Sequence, residues 1–240
     1  MLWHSRPGET DHSRGRLCHM TPYHCRMSPF NNIKGIIFDL DGTLCDTFPV
    51  IIDAFNAAVA PIKGRAYTAL QVIALFGDPE PVMIRREVGD RWEEACEIYY
   101  QRYQQDHHQV APFDGVSEML AELTRLEIPM ALVTGKSRRS CDITLREMGW
   151  SDCFASVVTG SEMKKQKPDP GGLLTAVREM NLDPARCVMV GDSPADIGAA
   201  KGAGIGAVVA GWHSVYLDEV KKLEPELWAR EPRDVVKLVT

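Results

Sequence analysis

The chain has 240 residues, of which 45% are hydrophobic and 25% charged, and its formal net charge is −6. This composition is typical of a globular protein with a sizeable core, and the acidic balance gives no reason to expect a nucleic-acid partner. No apolar run approaches the roughly 18 residues that a membrane span requires. We therefore expect a soluble monomer or homodimer with no membrane and no nucleic-acid partner.

The seven cysteines show no Cys-x-x-Cys spacing and are scattered along the chain. An odd number without a repeated spacing favours reduced thiols over a disulfide framework, which predicts a reducing compartment and a cytoplasmic protein. Cys45 lies beside the acidic motif described below. No neighbouring residue supplies a base for its thiol, so it is not expected to act as a nucleophile.

Residues 1–32 differ from the rest of the chain. They contain four of the seven histidines and lack a periodic apolar pattern, which predicts a disordered or loosely attached tail. Cys18-His19 and His24-Cys25 match no standard zinc spacing. Whether this tail belongs to the native protein or carries a targeting role stays open.

An acidic motif follows the first apolar run. Ile36 and Ile37 predict a buried strand, and Asp39 and Asp41 come directly after it. Ligands bind at the carboxyl ends of the strands in open α/β sheets. Two carboxylates one residue apart repel each other unless a cation compensates, and Mg2+ prefers oxygen ligands. The motif therefore indicates a metal site rather than an ordinary acidic turn.

Residues 47–111 show helical patterns only, at 50–59, 68–76 and 81–105. From residue 116 onward, helical and strand patterns alternate, which is typical of a parallel sheet covered by helices on both faces. The predicted strands are 130–133, 155–158, 187–190 and 205–209, and the predicted helices are 116–126, 138–148, 172–180, 194–203, 215–223 and 233–239. We predict an α/β protein whose Rossmann-like core, 33–46 and 112–240, carries an inserted all-helical cap, 47–111.

Polar residues recur where the later strands end. Thr134, Gly135 and Lys136 follow the second strand, and a hydroxyl with a following amide can hold a phosphoryl oxygen. Lys167 precedes Pro168, which restricts the backbone that carries the amine. A fixed lysine can neutralise both the carboxylates and a bound phosphate.

Asp192 ends the fourth predicted strand, immediately before a helix. Ser193, Pro194 and Asp196 form the pattern of a helix start with a capping box, which accounts for these three residues. The pattern does not account for Asp192. We expect Asp192 to complete an acidic cage for Mg2+, with Asp196 holding a metal-bound water or orienting Lys167.

Taken in order, these motifs resemble the haloacid dehalogenase superfamily, in the branch of small-molecule phosphatases with a helical cap. The resemblance extends over about 33–212 and is closest to phosphoglycolate phosphatases and related pyrophosphatases. It implies that Asp39 is the nucleophile that forms an aspartyl-phosphate and that Asp41 is the general acid and base. It also implies that Thr134 and Lys167 bind the phosphoryl group.

The resemblance further implies that Mg2+ is held by the Asp39 side chain, the Asp41 carbonyl and the Asp192 side chain, with Asp196 nearby. Gly42, Thr43 and Gly135 would contribute to substrate binding. An acid at position 41 disfavours a dehalogenase, and Thr43 favours a phosphatase over a sugar-phosphate mutase of the β-phosphoglucomutase type.

A mutase, a pyrophosphatase and a non-catalytic binding module that keeps this fold remain alternatives. The substrate would be a small-molecule phosphate ester chosen by the cap. The sequence leaves open whether one of the cap cations binds a substrate carboxylate; these are Lys63, Arg65, Arg85, Arg86 and Arg91.

Overall fold

A computed structural model of the chain describes Phe30, residues 32–213 and residues 215–240. Within these residues one sheet of six parallel strands forms, in the order β3-β2-β1-β4-β5-β6. The strands are β1 (Gly35–Phe38), β2 (Met130–Val133), β3 (Ser156–Val158), β4 (Cys187–Gly191), β5 (Gly206–Ala210) and β6 (Leu227–Ala229). The predicted α/β class with a Rossmann-like parallel sheet is confirmed.

Both faces of the sheet are buried, as expected for parallel strands connected by helices. Successive side chains of β1 point to opposite faces: Ile36 belongs to one apolar cluster and Ile37 to the other. This explains why the strands appear in the sequence as continuous apolar runs rather than as alternating patterns.

The helices of the described residues fall into two groups. The first group follows β1 within residues 47–111 and consists of α1 (Phe48–Lys63), α2 (Ala69–Ile73), α3 (Glu80–Val88) and α4 (Trp92–Asp106). The second group is α5 (Val116–Arg125), α6 (Arg138–Glu147), α7 (Gly171–Glu179), α8 (Pro194–Ala203), α9 (Leu217–Lys221) and α10 (Arg233–Val236). No helix among the described residues has the length and hydropathy needed to cross a bilayer.

Two sequence expectations are wrong in detail. The helix expected over 81–105 is two helices, because Gly89 adopts φ 60° and the chain passes through a short 3-10 turn at Gly89–Arg91. Strand β6 was not expected, since its three residues, Leu227–Ala229, lie directly between the charged residues Glu226 and Arg230. Apart from Phe30 and residue 32, the proposed tail at 1–32 lies outside the described residues.

The order of the strands determines where a site can form. From β1 the chain builds β2 and β3 on one side of the sheet and then β4, β5 and β6 on the other. The carboxyl end of β1 therefore lies between those of β2 and β4, where the direction of winding reverses and ligands bind in such sheets. The register pairs Phe38 with Leu132 on one side and with Val190 on the other. Asp39, Thr134 and Asp192 consequently emerge along one edge of the sheet.

Candidate active site

A buried lysine lies at the centre of this edge. The Lys167 ammonium donates to Asp39 Oδ1 at 2.7 Å, to Asp196 Oδ1 at 2.6 Å and to the Val133 carbonyl at 2.9 Å. Its side chain is only 7% exposed. All three of its donor positions are therefore satisfied by oxygen atoms that come from three separate parts of the chain.

Three buried carboxylates form the acid cluster, which consists of Asp39, Asp192 and Asp196. One oxygen from each lies within 4.8 Å of the others. The Asp39 amide donates to the Val190 carbonyl at 3.0 Å, which continues the pairing of β1 with β4. Asp196 is fixed by the capping box that starts α8, as predicted, and this box leaves its Oδ1 for Lys167.

The electrostatics of the acid cluster favour a bound cation. Burial raises the pKa of Asp39 to about 7, with the charges of Asp196 and Asp41 adding to the rise and Lys167 opposing it. Burial and the neighbouring carboxylates also raise the pKa of Asp192. The pKa of Lys167 is raised because Asp196 and Asp39 outweigh its burial. A divalent cation would compensate the negative charge that one ammonium leaves unbalanced.

The turn after β1 contacts Asp192 and holds this member of the acid cluster in position. Gly42 has φ 84°, and a Cβ there would lie 2.7 Å from Asp192 Oδ2, so the backbone can approach the carboxylate only without a side chain. The Thr43 hydroxyl donates to Asp192 Oδ1 at 3.2 Å. The donor set is thus oxygen-rich, buried and held in place, which fits a hard cation such as Mg2+.

Asp41 is bound by a second lysine. The Lys136 ammonium lies 3.1 Å from Asp41 Oδ1 and 3.2 Å from Oδ2, and its side chain is only 1% exposed. The hydroxyl of Thr47, the residue immediately before α1, donates to the same carboxylate. The Asp41 carboxylate is therefore oriented by its own set of contacts, separate from those of Lys167.

Glu80 is a residue that sequence reasoning missed, and Lys136 is one that it named without giving it a role. Glu80, the first residue of α3, accepts from the Ser137 amide at 2.7 Å and lies 3.6 Å from the Lys136 ammonium. The Lys136 ammonium also lies 4.8 Å from the centre of the Tyr103 ring. A lysine three residues past a strand end was a usable signal for Lys136. No local pattern marks Glu80, because Lys136 and Ser137 are more than fifty residues away in the sequence.

A cavity of about 490 Å³ opens over these groups. Of the predicted site residues, those that line it are Asp39, Asp41, Thr134, Gly135, Lys167 and Asp192. Gly42, Thr43 and Asp196 lie outside this lining and contact it through Asp192 or Lys167. The structure therefore brings six predicted residues to the lining of one cavity, and the other three contact residues of that lining.

Cys45 is not part of this chemistry. Its side chain is fully buried, and burial together with the charge of Asp41 raises the pKa of its thiol. A thiol in this environment stays protonated and is a poor nucleophile, which agrees with the expectation from sequence.

A family model described as haloacid dehalogenase-like hydrolase matches residues 36–210. A protein of Caldanaerobacter subterraneus, whose name proposes a pyrophosphatase activity, is 31% identical over 208 residues, covering 86% of this chain and 94% of its own. A phosphoglycolate phosphatase of Pseudomonas savastanoi is 30% identical over 215 residues, covering 80% of this chain and 79% of its own. One of Neisseria meningitidis is 33% identical, covering 72% and 78%.

Solved structures share the fold. CbbY of Rhodobacter sphaeroides, crystallised with phosphate, superposes with a TM-score of 0.76 at 22% identity. The superposition covers 87% of this chain and all of the other.

The acid cluster predicts a metal-dependent gain in stability. A ligand that binds only the folded state stabilises it by about 2.7 kcal/mol at a hundred times its dissociation constant. Excess MgCl2 should therefore raise the Tm of protein that has been treated with EDTA. The Asp192→Asn variant should lose this rise, because its amide cannot supply the negative charge that attracts the cation.

Asp218→Asn is the matched control. It makes the same chemical change at a side chain that is 86% exposed, whereas the carboxylates of the acid cluster are buried. Differential scanning calorimetry with and without MgCl2 measures the shift. An equal rise in Tm for wild type and Asp192→Asn would contradict the assignment of the cluster to a metal.

Proposed function

The chain belongs to the haloacid dehalogenase-like hydrolase family and is a phosphatase, and on that premise we propose that it is a Mg2+-dependent phosphomonoester hydrolase with Asp39 as its nucleophile. One observation carries the proposal. Asp39 lies at the end of the central strand, 2.7 Å from a buried lysine and within 4.8 Å of two further carboxylates, at the floor of a cavity. This arrangement supplies a nucleophile and a cation at the place where a phosphoryl group would bind.

In the first step an oxygen of Asp39 attacks phosphorus, and the bond from phosphorus to the ester oxygen breaks. Asp41 donates a proton to that oxygen, which leaves as an alcohol. In the second step water attacks the phosphorus of the aspartyl-phosphate and passes a proton to Asp41. Inorganic phosphate is released, and the Asp39 carboxylate and the Asp41 acid are both restored.

Residues from β2 and from the loop before α7 would bind the transferring group. Thr134 lies at the end of β2 and accepts from the Lys136 amide at 3.2 Å, which fixes its hydroxyl. We assign Thr134, Gly135 and Lys167 to the phosphoryl oxygens. Positioning and charge neutralisation of this kind supply most of the rate enhancement in phosphoryl transfer.

The Asp39 side chain, the Asp41 carbonyl and the Asp192 side chain would hold Mg2+, and Asp196 would orient Lys167. Mg2+, when bound, neutralises charge on the carboxylates and on the phosphoryl oxygens. Gly42 and Thr43 act on the substrate indirectly, through the position of Asp192.

We assign 33–46 and 112–240 to the core and 47–111 to a cap. Phe48, Phe76 and Met83, from α1 to α3, line the cavity together with residues of the core. A segment in this position can exclude bulk water from the aspartyl-phosphate, so that only the intended water attacks. The names of the curated relatives support a small-molecule phosphate ester as the substrate.

Replacement of the nucleophile tests the proposal. Asp39→Asn should lower the turnover of p-nitrophenyl phosphate by at least a thousandfold, because an amide does not attack phosphorus. Phosphate release in the presence of MgCl2 measures turnover, and circular dichroism checks that the fold is kept. Asp218→Asn serves as the exposed control. Undiminished turnover by Asp39→Asn would refute the role of Asp39.

Lys136 gives a second prediction, because its ammonium orients the Asp41 carboxylate. General acid catalysis matters for a poor leaving group and little for p-nitrophenolate, which departs without a proton. Lys136→Met should therefore reduce kcat/KM for benzyl phosphate roughly tenfold more than kcat/KM for p-nitrophenyl phosphate, because kcat/KM reports the departure of the alcohol and not the later attack of water, which is common to both esters.

Lys136→Arg keeps a cation beside Asp41 and should recover much of the difference between the two esters. Steady-state kinetics with both esters and all three proteins give the comparison. Equal losses of kcat/KM on both esters would show that Lys136 does not act through the proton that Asp41 gives to the leaving group.

A further inference from the structure

The helical segment contributes an apolar lining to the cavity. Phe48 and Ile51 come from α1, Phe76 follows α2, and Met83 lies on α3. Tyr216, from the core, adds a further aromatic side chain. These side chains offer contact to hydrocarbon or to an aromatic ring and have little to offer a charged group.

The cations of the same segment do not line the cavity among the described residues. Each of the five that were candidates for binding a substrate carboxylate has another partner on the protein. The pairs are Lys63 with Glu87, Arg65 with the ring of Tyr67, Arg85 with the ring of Trp92, Arg86 with Asp78, and Arg91 with Glu94. The segment thus provides no cation for an anionic substituent on the substrate.

The charged groups that do line the cavity are mostly acidic. The described lining contains six carboxylates and two ammonium groups. Both ammonium groups, Lys136 and Lys167, are already in contact with carboxylates. Away from the acid cluster and Asp41, the remaining acids are Asp78, Glu80 and Glu219. Of these three, Asp78 is paired with Arg86 and Glu80 lies 3.6 Å from Lys136. A second negative charge on the substrate would therefore meet Glu219 and find no lining cation that lacks a carboxylate partner.

We propose that this site takes phosphate monoesters of uncharged alcohols with an apolar or aromatic body, and that it discriminates against leaving groups that carry a carboxylate or a second phosphate. The proposal rests on the phosphatase function given above and specifies its substrate class. The cavity volume of about 490 Å³ agrees with an alcohol that is larger than glycolate. Pyrophosphate, whose leaving group is itself an anion, belongs to the disfavoured class.

Two matched pairs of esters isolate the effect of charge. Benzyl phosphate is compared with 4-carboxybenzyl phosphate, and 2-hydroxyethyl phosphate with phosphoglycolate, in the presence of MgCl2. We expect kcat/KM to be roughly tenfold or more higher for the uncharged member of each pair, and benzyl phosphate to exceed 2-hydroxyethyl phosphate. Turnover of pyrophosphate should be lower than that of benzyl phosphate.

A variant at the rim of the cavity makes the test specific to this lining. Glu219 is exposed, so Glu219→Lys can reverse a charge without disturbing the core. This variant should reduce the preference for benzyl over 4-carboxybenzyl phosphate by roughly fivefold, and Glu219→Gln, its neutral control, by less.

The outcomes distinguish a wrong substrate class from a wrong phosphatase function. Hydrolysis of p-nitrophenyl phosphate together with equal or better turnover of the carboxylated esters would overturn the substrate class and leave the phosphatase in place. If Glu219→Lys kept the wild-type preference for benzyl over 4-carboxybenzyl phosphate, that result would also overturn the proposed substrate class. Failure of wild type to hydrolyse any ester, p-nitrophenyl phosphate included, would overturn the proposed function and this inference with it.

Discussion

The site depends on one buried ammonium. Lys167 contacts Asp39 at the end of β1, the Val133 carbonyl at the end of β2, and Asp196 in the first turn of α8. Removal of one partner from a buried ion pair leaves an uncompensated charge, at a cost of roughly 3 to 5 kcal/mol. The ends of two strands and a helix are therefore held together by the same group that would bind the phosphoryl oxygens. Binding chemistry and local structure share a single set of contacts.

A second buried ammonium connects the site to the helical segment. Glu80, on α3, accepts from the Ser137 amide in the loop that carries Thr134, and it also lies near Lys136. Lys136 in turn contacts Asp41, the proposed acid and base. The position of the segment and the orientation of Asp41 are thus linked through two side chains. This linkage offers a physical route by which closure over a substrate can assemble the catalytic groups.

The fold was predictable where local signals agree. The Ser193, Pro194 and Asp196 pattern marked the start of α8 correctly, and apolar runs bounded by turn residues located five of the six described strands. Gly89 divided an expected helix because a single backbone conformation with positive φ outweighs helical periodicity. The acid cluster was predictable because strand ends converge at one edge. Glu80 was not, since its role comes from tertiary contacts across the chain.

During turnover, the phosphoryl group is expected to be carried by Asp39. Rapid acid quenching of the enzyme with p-nitrophenyl phosphate and Mg2+, followed by proteolysis and mass spectrometry, tests it directly. We expect a phosphoryl adduct on the peptide that contains Asp39, with fragment ions that place the adduct on that residue. A phosphoryl adduct on another side chain, formed and lost at the rate of turnover, would contradict it.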